Sequence, residues 1–250
     1  MDQEKQHFLN GGEQYARFRP DYPAELAAEL SGLCEGHELA LDVGCGSGQL
    51  TRLLSPYFTE VVGSDSSAGQ IQHAVKADNI RYVCEAAEQI SLEDHSLDLL
   101  VVAQAAHWFD LDRFYREARR VLKPSGMIAL VSYGVPYLED AANSVFQQGY
   151  WQRVHRFWPA ERQHVENGYL DLAFPFDPVT LAPLFIRRAL NYPQLTGYIQ
   201  TWSAYKCAVE QQRTAEFEAF FRNLERAWGP DLQQAKTVTW PVSVKAGRVS

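Results

Sequence analysis

The chain has little material for disulfide or zinc chemistry. It has four cysteines, Cys34, Cys45, Cys84 and Cys207, and no two lie closer than 11 residues. That leaves no CxxC pair and no zinc-ribbon spacing. Reduced, buried thiols are expected, as in a cytoplasmic protein. His155 and His164 have no carboxylates beside them at metal spacing, so no metal site is expected. No apolar run approaches the roughly 18 residues of a spanning helix, which argues against a membrane. Lys/Arg-rich runs are missing as well. Against 31 Asp+Glu there are 23 Lys+Arg, a net charge of −8. That balance argues against a general nucleic-acid binder; charge alone leaves a specific RNA or protein substrate open. The opening MDQEKQHFLNGGEQ is polar and mixed in charge, unlike a secretory signal. There is no internal repeat and no low-complexity segment.

What is present is ordinary globular material. Hydrophobic residues make up 46% of the 250, enough to build a core without covalent staples. Strand and helix signals alternate through the first half. Pro23 opens a helix with Leu26, Ala27 and Leu30 on one face. Leu39–Val43 reads as a buried strand, followed by a glycine turn and a helix bearing Leu50, Leu53 and Leu54. Val61–Gly63 leads a second strand to Asp65. Ser66 is placed to cap the next helix, with Ile71, Ala74 and Val75 on its inner face. Ile80–Val83 is a third strand, and Leu97–Ala103, almost wholly apolar, a fourth covered on both faces. Residues 110–122 form a helix with acids at its start and Arg119, Arg120 and Lys123 at its end, matching the dipole. Met127–Ser132 is a fifth strand. The fold predicted is a doubly wound, mostly parallel α/β sheet.

Composition changes after residue 133. Residues 134–205 hold 14 of the 31 aromatics, and 136–193 hold six of the 12 prolines. Linkers are poor in aromatics, so 134–182 reads as a helical insertion forming a cap. Phe185–Leu190 is a candidate sixth strand. Helices are expected over 195–209 and 212–228. Val238, Trp240, Val242 and Val244 alternate as a last strand, with a bulge or interruption at Pro241. The organisation expected is one domain: an N-terminal lid and helix (1–37), a core (38–133), the insertion (134–182) and completing elements (183–250).

The informative stretch is Leu41-Asp42-Val43-Gly44-Cys45-Gly46-Ser47-Gly48-Gln49-Leu50, between a strand and a helix. Glycines at alternate positions let the backbone turn sharply and approach a ligand. At the carboxyl ends of the strands such a loop meets the ligand. The spacing departs from the dinucleotide fingerprint, because position 49 is Gln and the last glycine falls at 48. No Gly-Lys-Ser/Thr follows, so it is not a Walker loop. Asp42, inside the strand, suits a cationic ligand better than a pyrophosphate. Asp65, ending the next strand, can accept both hydroxyls of a ribose. A positively charged nucleoside without phosphates fits the pair, and S-adenosylmethionine is one. These features argue against an NAD-dependent oxidoreductase.

The loop resembles the first motif of class I S-adenosylmethionine-dependent methyltransferases, and Asp65 falls where that family has its ribose-binding acid. Glu85-Ala86-Ala87-Glu88 is similar to the segment lining the adenine, with Ala86 where the family often has Asp. Val121-Leu122-Lys123-Pro124-Ser125-Gly126 matches the turn before the fifth strand. A narrower resemblance, to a subgroup that includes trans-aconitate methyltransferases, is carried by Tyr15–Pro23, Gln104–Asp110 and Thr201-Trp202-Ser203. It implies a seven-stranded, Rossmann-like sheet and methyl transfer to a small molecule, with carboxylate O-methylation as the subgroup's chemistry. Cofactor contacts are then expected from Asp42, Gly44, Cys45, Gly46, Ser47, Gly48, Asp65, Ser66, Ala86, Ala87, Glu88 and Gln104.

His107 follows the fourth strand and is the candidate catalytic residue. It serves as a base for a hydroxyl or amine acceptor; for a carboxylate, already ionised, it orients the acceptor. Otherwise it is a structural hydrogen bonder. Tyr15, Arg19, Trp108 and Trp202 are the other candidate acceptor-binding residues. For the two tryptophans a plain core role stands equally open. Cys45 reads as a small residue fitting the turn. The alternative to an enzyme is a non-catalytic S-adenosylmethionine-binding partner protein. Oligomeric state and acceptor are not legible.

Overall fold

A computed structural model describes residues 18–249. The chain forms two compact units, each built from separate stretches of sequence. One comprises Asp21–Gly134, Gln163–Leu184 and the chain from Val242; the other comprises the chain up to Pro20, Val135–Arg162 and Phe185–Pro241.

The first unit carries the parallel sheet. Its elements are α1 (Ala24–Gly32), β1 (Leu39–Val43), α2 (Gln49–Leu54), β2 (Glu60–Asp65), α3 (Ala68–Gln72), β3 (Ile80–Cys84), β4 (Leu97–Ala103), α4 (Leu111–Val121) and β5 (Leu122–Tyr133). The strand order is β3-β2-β1-β4-β5, all parallel. Order reverses between β1 and β4, which is where an open α/β sheet presents a ligand. β4 is buried along its first six residues, as its apolar run requires. α4 shows why its sequence is a helix. Asp110 caps it by accepting from the Arg113 amide at 3.2 Å, and Phe114, Tyr115, Ala118 and Val121 form its buried face. Fully burying one such side chain contributes roughly 1.5–3 kcal/mol.

The insertion expected over 134–182 does not stay together. Its second part holds α6 (Arg162–Glu166) and β7 (Asp177–Val179). There Val165, Tyr169, Leu172 and Phe176 belong to the same core cluster as Leu100, Phe114 and Leu130 of the sheet unit. Buried apolar area, rather than chain order, decides the division.

The second unit holds β6 (Tyr137–Leu138), α5 (Ala142–Gly149), β8 (Leu184–Leu190), α7 (Tyr192–Gln200), α8 (Ser203–Glu210) and α9 (Ala215–Trp228). α5 runs on as a π-helical turn over Tyr150–Val154. The helix expected over 195–209 is two helices. Asn191 and Gln194 form a capping box that starts α7 earlier, and α8 begins after Trp202. The last strand, β9 (Lys236–Arg248), is longer than expected and includes Pro241. It pairs antiparallel with β6 at Val238 and Thr239 and with β5 from Val242 to Arg248. Three residues between Tyr133 and Tyr137 face two between Thr239 and Val242, so the register slips at Trp240–Pro241, where a ladder donor is missing. β6 and β7, of two and three residues, are additional to the seven strands expected. Among the described residues no helix is long and apolar enough to cross a membrane.

Candidate active site

The glycine loop leaves β1 at the point of strand-order reversal. The Ser64 carbonyl of β2 accepts from the amides of Gly44 and Cys45 at 2.7 and 2.9 Å. All three glycines have positive φ: 70° at Gly44, 57° at Gly46 and 83° at Gly48. Their surroundings differ. A Cβ on Gly44 would meet the Ala105 methyl at 2.6 Å, and one on Gly48 would collide with the Tyr82 hydroxyl. A Cβ on Gly46 would meet only Gln70 Oε1, at 3.9 Å. Gly44 and Gly48 are therefore fixed by protein packing, and Gly46 is the one that faces open space.

Asp42 is 1% exposed. Its Oδ2 accepts from Thr51 Oγ1 of α2 at 2.7 Å, while Oδ1 is buried with no hydrogen-bond partner among the described residues. Burial pushes its carboxyl up to about 7, opposed by the Thr51 hydrogen bonds and assisted by the nearby Asp65 charge. A buried carboxylate with an orphaned oxygen is costly, and a cationic group would complete it. Thr51 lies nine residues along the chain, on α2, and no local sequence pattern marks it as the partner of Asp42.

Asp65 Oδ2 accepts from the Gly46 amide at 2.9 Å and Oδ1 from the Ser67 amide at 2.8 Å. The helix cap is Ser67, whose side chain accepts from Gln70, rather than Ser66, which is exposed. α3 also ends at Gln72, short of Ala74 and Val75. Asp65 is thus not left free by a capping serine. Each of its oxygens still has a second lone pair to offer a hydroxyl. Cys45 is buried, and burial pushes its thiol far above the ordinary range, so it is an inert filler of the turn. The Ser47 carbonyl accepts from the Val75 amide at 3.2 Å.

After β3, Ala87 is buried and Ala86 exposed. Glu88 Oε1 accepts from the Asp110 amide at 2.9 Å, tying this segment to the start of α4. Glu85, the first residue of the segment likened to the adenine-lining stretch, accepts at Oε2 from the Ser91 amide at 3.1 Å, and its Oε1 is buried without a hydrogen-bond partner among the described residues. At the end of β4, Gln104 has φ 60°, and its Nε2 donates to the Tyr133 carbonyl at 3.1 Å. His107 follows, half-buried, with Nδ1 at 3.0 Å from the Tyr169 hydroxyl. The ring of Trp108 lies 4.7 Å from that of His107 and is 42% exposed. Ala105 and Phe109, on either side of them, both touch the position a Gly44 Cβ would take. The β4 turn and the glycine loop are therefore in contact.

The other acceptor candidates do not join this group within the sheet unit. Tyr15 lies outside the described residues. Arg19, in the helical unit, reaches the Thr201 carbonyl at 3.5 Å and sits 5.9 Å from the Tyr198 ring centre. Trp202 is 2% exposed, enclosed in the helical unit by the rings of Phe146, Tyr150, Trp158 and Tyr198. Such enclosure is what a plain core role gives a tryptophan.

A buried acid with no cation beside it among the described residues, an acid at the β2 end and one glycine open to a ligand fit an amine-bearing nucleoside better than a pyrophosphate. The comparisons agree. The methyltransferase domain family matches residues 41–130. A Dictyostelium discoideum protein provisionally named a methyltransferase is 36% identical over 200 residues, 78% of this chain and 76% of that one. A Saccharomyces cerevisiae protein, named for S-adenosylmethionine-dependent methyl transfer, is 32% identical over 148 residues; this chain covers 51% of it. The solved structure of an Anaeromyxobacter dehalogenans protein, provisionally named a type II methyltransferase, superposes with a TM-score of 0.87. It is 37% identical, over 92% of this chain and 98% of that one. With the fold, the loop and these relatives together, the chain belongs to the class I S-adenosylmethionine-dependent methyltransferases.

Proposed function

We propose that this methyltransferase acts on a small molecule carrying an ionised carboxylate, which it methylates on oxygen, as in the trans-aconitate methyltransferase subgroup. The observation that carries this reading is the contact between the turn bearing His107 and Trp108 and the glycine loop. A polar ring and an exposed indole next to that loop support a role in holding the acceptor. When bound, the cofactor supplies an electrophilic methyl on a sulfonium. What the protein adds is placement of the nucleophile, which is worth roughly 7–11 kcal/mol of barrier when the reacting atoms are aligned.

In this reading Asp42 pairs with the cofactor's amine, Gly46 lets the backbone approach, and Asp65 accepts the ribose hydroxyls. Gly44, Cys45, Ser47 and Gly48 shape the loop. Ser66, Ala86, Ala87, Glu88 and Gln104 line the remainder. His107 orients the acceptor's carboxylate, which is ionised near neutral pH and needs no base; Trp108 walls it. Tyr15, Arg19 and Trp202 are not assigned a contact. A panel of mono-, di- and tricarboxylic acids, scored by formation of S-adenosylhomocysteine and methyl ester, tests the acceptor class. Turnover on an amine or phenol panel, with none on acids, would overturn it. His107→Ala is expected to lower turnover much more than S-adenosylhomocysteine affinity; equal loss of both marks a structural histidine.

A further inference from the structure

Tyr82, on β3, reaches past β2 to the loop that leaves β1. Its partner in the β2 register is Gly63, and the missing side chain there makes room for the ring: a Cβ on Gly63 would meet Tyr82 Cε1 at 2.6 Å. The ring ends against the glycine loop, where a Cβ on Gly48 would meet Tyr82 Cζ at 2.9 Å and collide with the hydroxyl. That hydroxyl donates to the Val75 carbonyl at 2.7 Å, and the Val75 amide donates to the Ser47 carbonyl at 3.2 Å. A closed chain of contacts thus runs from the phenol through Val75 to Ser47, and back through Gly48 to the ring.

Val75 is held by this chain. Its side chain is 42% exposed, so burial does little to fix it. Its amide does not extend α3 by donating to the Ile71 carbonyl, four residues back; it turns to Ser47 instead. The loop is therefore gripped from two sides. At the β2 end the Ser64 carbonyl accepts from the Gly44 and Cys45 amides, and Asp65 accepts from the Gly46 amide. Opposite, Ser47 is held by Val75, and Val75 by Tyr82. Burial pushes the phenol up to about 12, so it stays protonated, a donor, near neutral pH.

We propose that Tyr82 is a positioning residue for cofactor binding: its hydroxyl, acting through Val75, fixes the Ser47–Gly48 end of the loop on which the cofactor sits. The proposal rests on the placing of the cofactor at this loop and adds to it a residue outside the glycine motif. A loop already in its binding shape gives up little conformational freedom when the ligand arrives, and such preorganisation is read as affinity. The effect belongs to cofactor binding and not to the chemical step.

Tyr82→Phe tests this, because it removes the hydroxyl and keeps the ring that fills the space beside Gly48 and Gly63. It is expected to weaken S-adenosylhomocysteine binding about tenfold by calorimetry, and to speed hydrogen exchange of the Gly46 and Gly48 amides in the ligand-free protein. Val75→Pro breaks the same chain at its other link, by removing the amide that holds Ser47, and should weaken binding similarly. The double variant should bind no worse than the poorer single variant, since both break one chain. Val75→Ala keeps the backbone and should bind like the parent. Unchanged affinity in Tyr82→Phe overturns the proposal. Additive losses in the double variant overturn it too, because they mark two independent structural defects. So does a loss in Val75→Ala equal to that in Val75→Pro, which gives the role to the side chain. If the parent protein itself binds no S-adenosylhomocysteine, the placing of the cofactor at this loop fails, while amide exchange in Tyr82→Phe still decides whether Tyr82 holds the loop.

Discussion

The Gly46 amide donates to Asp65 Oδ2 at 2.9 Å, so the acid at the end of β2 sets the shape of the loop that leaves β1. One carboxylate therefore holds the loop, and in the proposed reading it also accepts the ribose hydroxyls. Asp65→Ala is expected to weaken S-adenosylhomocysteine binding by at least about tenfold, or roughly 1.4 kcal/mol. Leaving the Gly46 and Ser67 amides without their acceptor costs about 1–3 kcal/mol of stability, with the fold retained. Calorimetry and urea unfolding read the two effects, and unchanged affinity removes Asp65 from the site.

Asp42 gives a pH signature. Its folded carboxyl is raised to about 7 from 3.8, chiefly by burial. The native state thus holds a proton that the unfolded chain releases, so this group's contribution makes stability fall as pH rises between those values. The slope is at most about 1.4 kcal/mol per pH unit. Asp42→Asn keeps the shape and removes the titration. The difference in unfolding free energy between parent and variant should shift in the variant's favour from pH 4 to 7 and level off above. A flat difference would show that Asp42 ionises normally.

The same group links to the ligand. If the cofactor's ammonium completes Asp42, binding of S-adenosylhomocysteine tightens as pH rises through about 7 and releases a proton. That release is measurable as a buffer-dependent binding enthalpy, and Asp42→Asn abolishes it. Buffer-independent enthalpy in the parent protein contradicts the pairing.

The glycines separate packing from ligand approach. Gly48→Ala drives a methyl into Tyr82, whose hydroxyl donates to the Val75 carbonyl at 2.7 Å, and should destabilise the protein by several kcal/mol. Gly46→Ala places its methyl in open space. It should cost only about 1 kcal/mol in stability while weakening cofactor binding severely. Equal damage from both substitutions would refute this division.

The two tryptophans should behave oppositely. Trp202→Ala empties a fully enclosed aromatic cage and is expected to cost about 3–5 kcal/mol. Trp108→Ala, at 42% exposure, should leave stability within about 0.5 kcal/mol and raise KM for the acceptor. Thermal and urea unfolding decide the first, steady-state kinetics the second.

The parallel strands are legible in the sequence because buried strands read as apolar runs bounded by turn residues: Leu39–Val43 and Leu97–Ala103 are found where their composition puts them. The turn at the end of β1 is legible because its glycines fall at alternate positions, and all three have positive φ. What escapes is decided at long range. Thr51 meets Asp42 through the fold, and Tyr169 reaches His107 across 62 residues. Trp202 is fixed as core by rings at positions 146 to 198. Ser66 and Ser67 are one step apart, and only backbone angles choose the cap. The placement of 163–184 with the sheet follows from where Leu172 and Phe176 find apolar partners, which no local pattern announces.

The central claim, a methyl-donor site on the loop after β1, is tested most directly by calorimetric titration of the protein with S-adenosylhomocysteine, with NAD as control. The account predicts one equivalent bound, lost in Asp65→Ala, and no heat from NAD. Absence of S-adenosylhomocysteine binding, or binding untouched by Asp65→Ala, would contradict it.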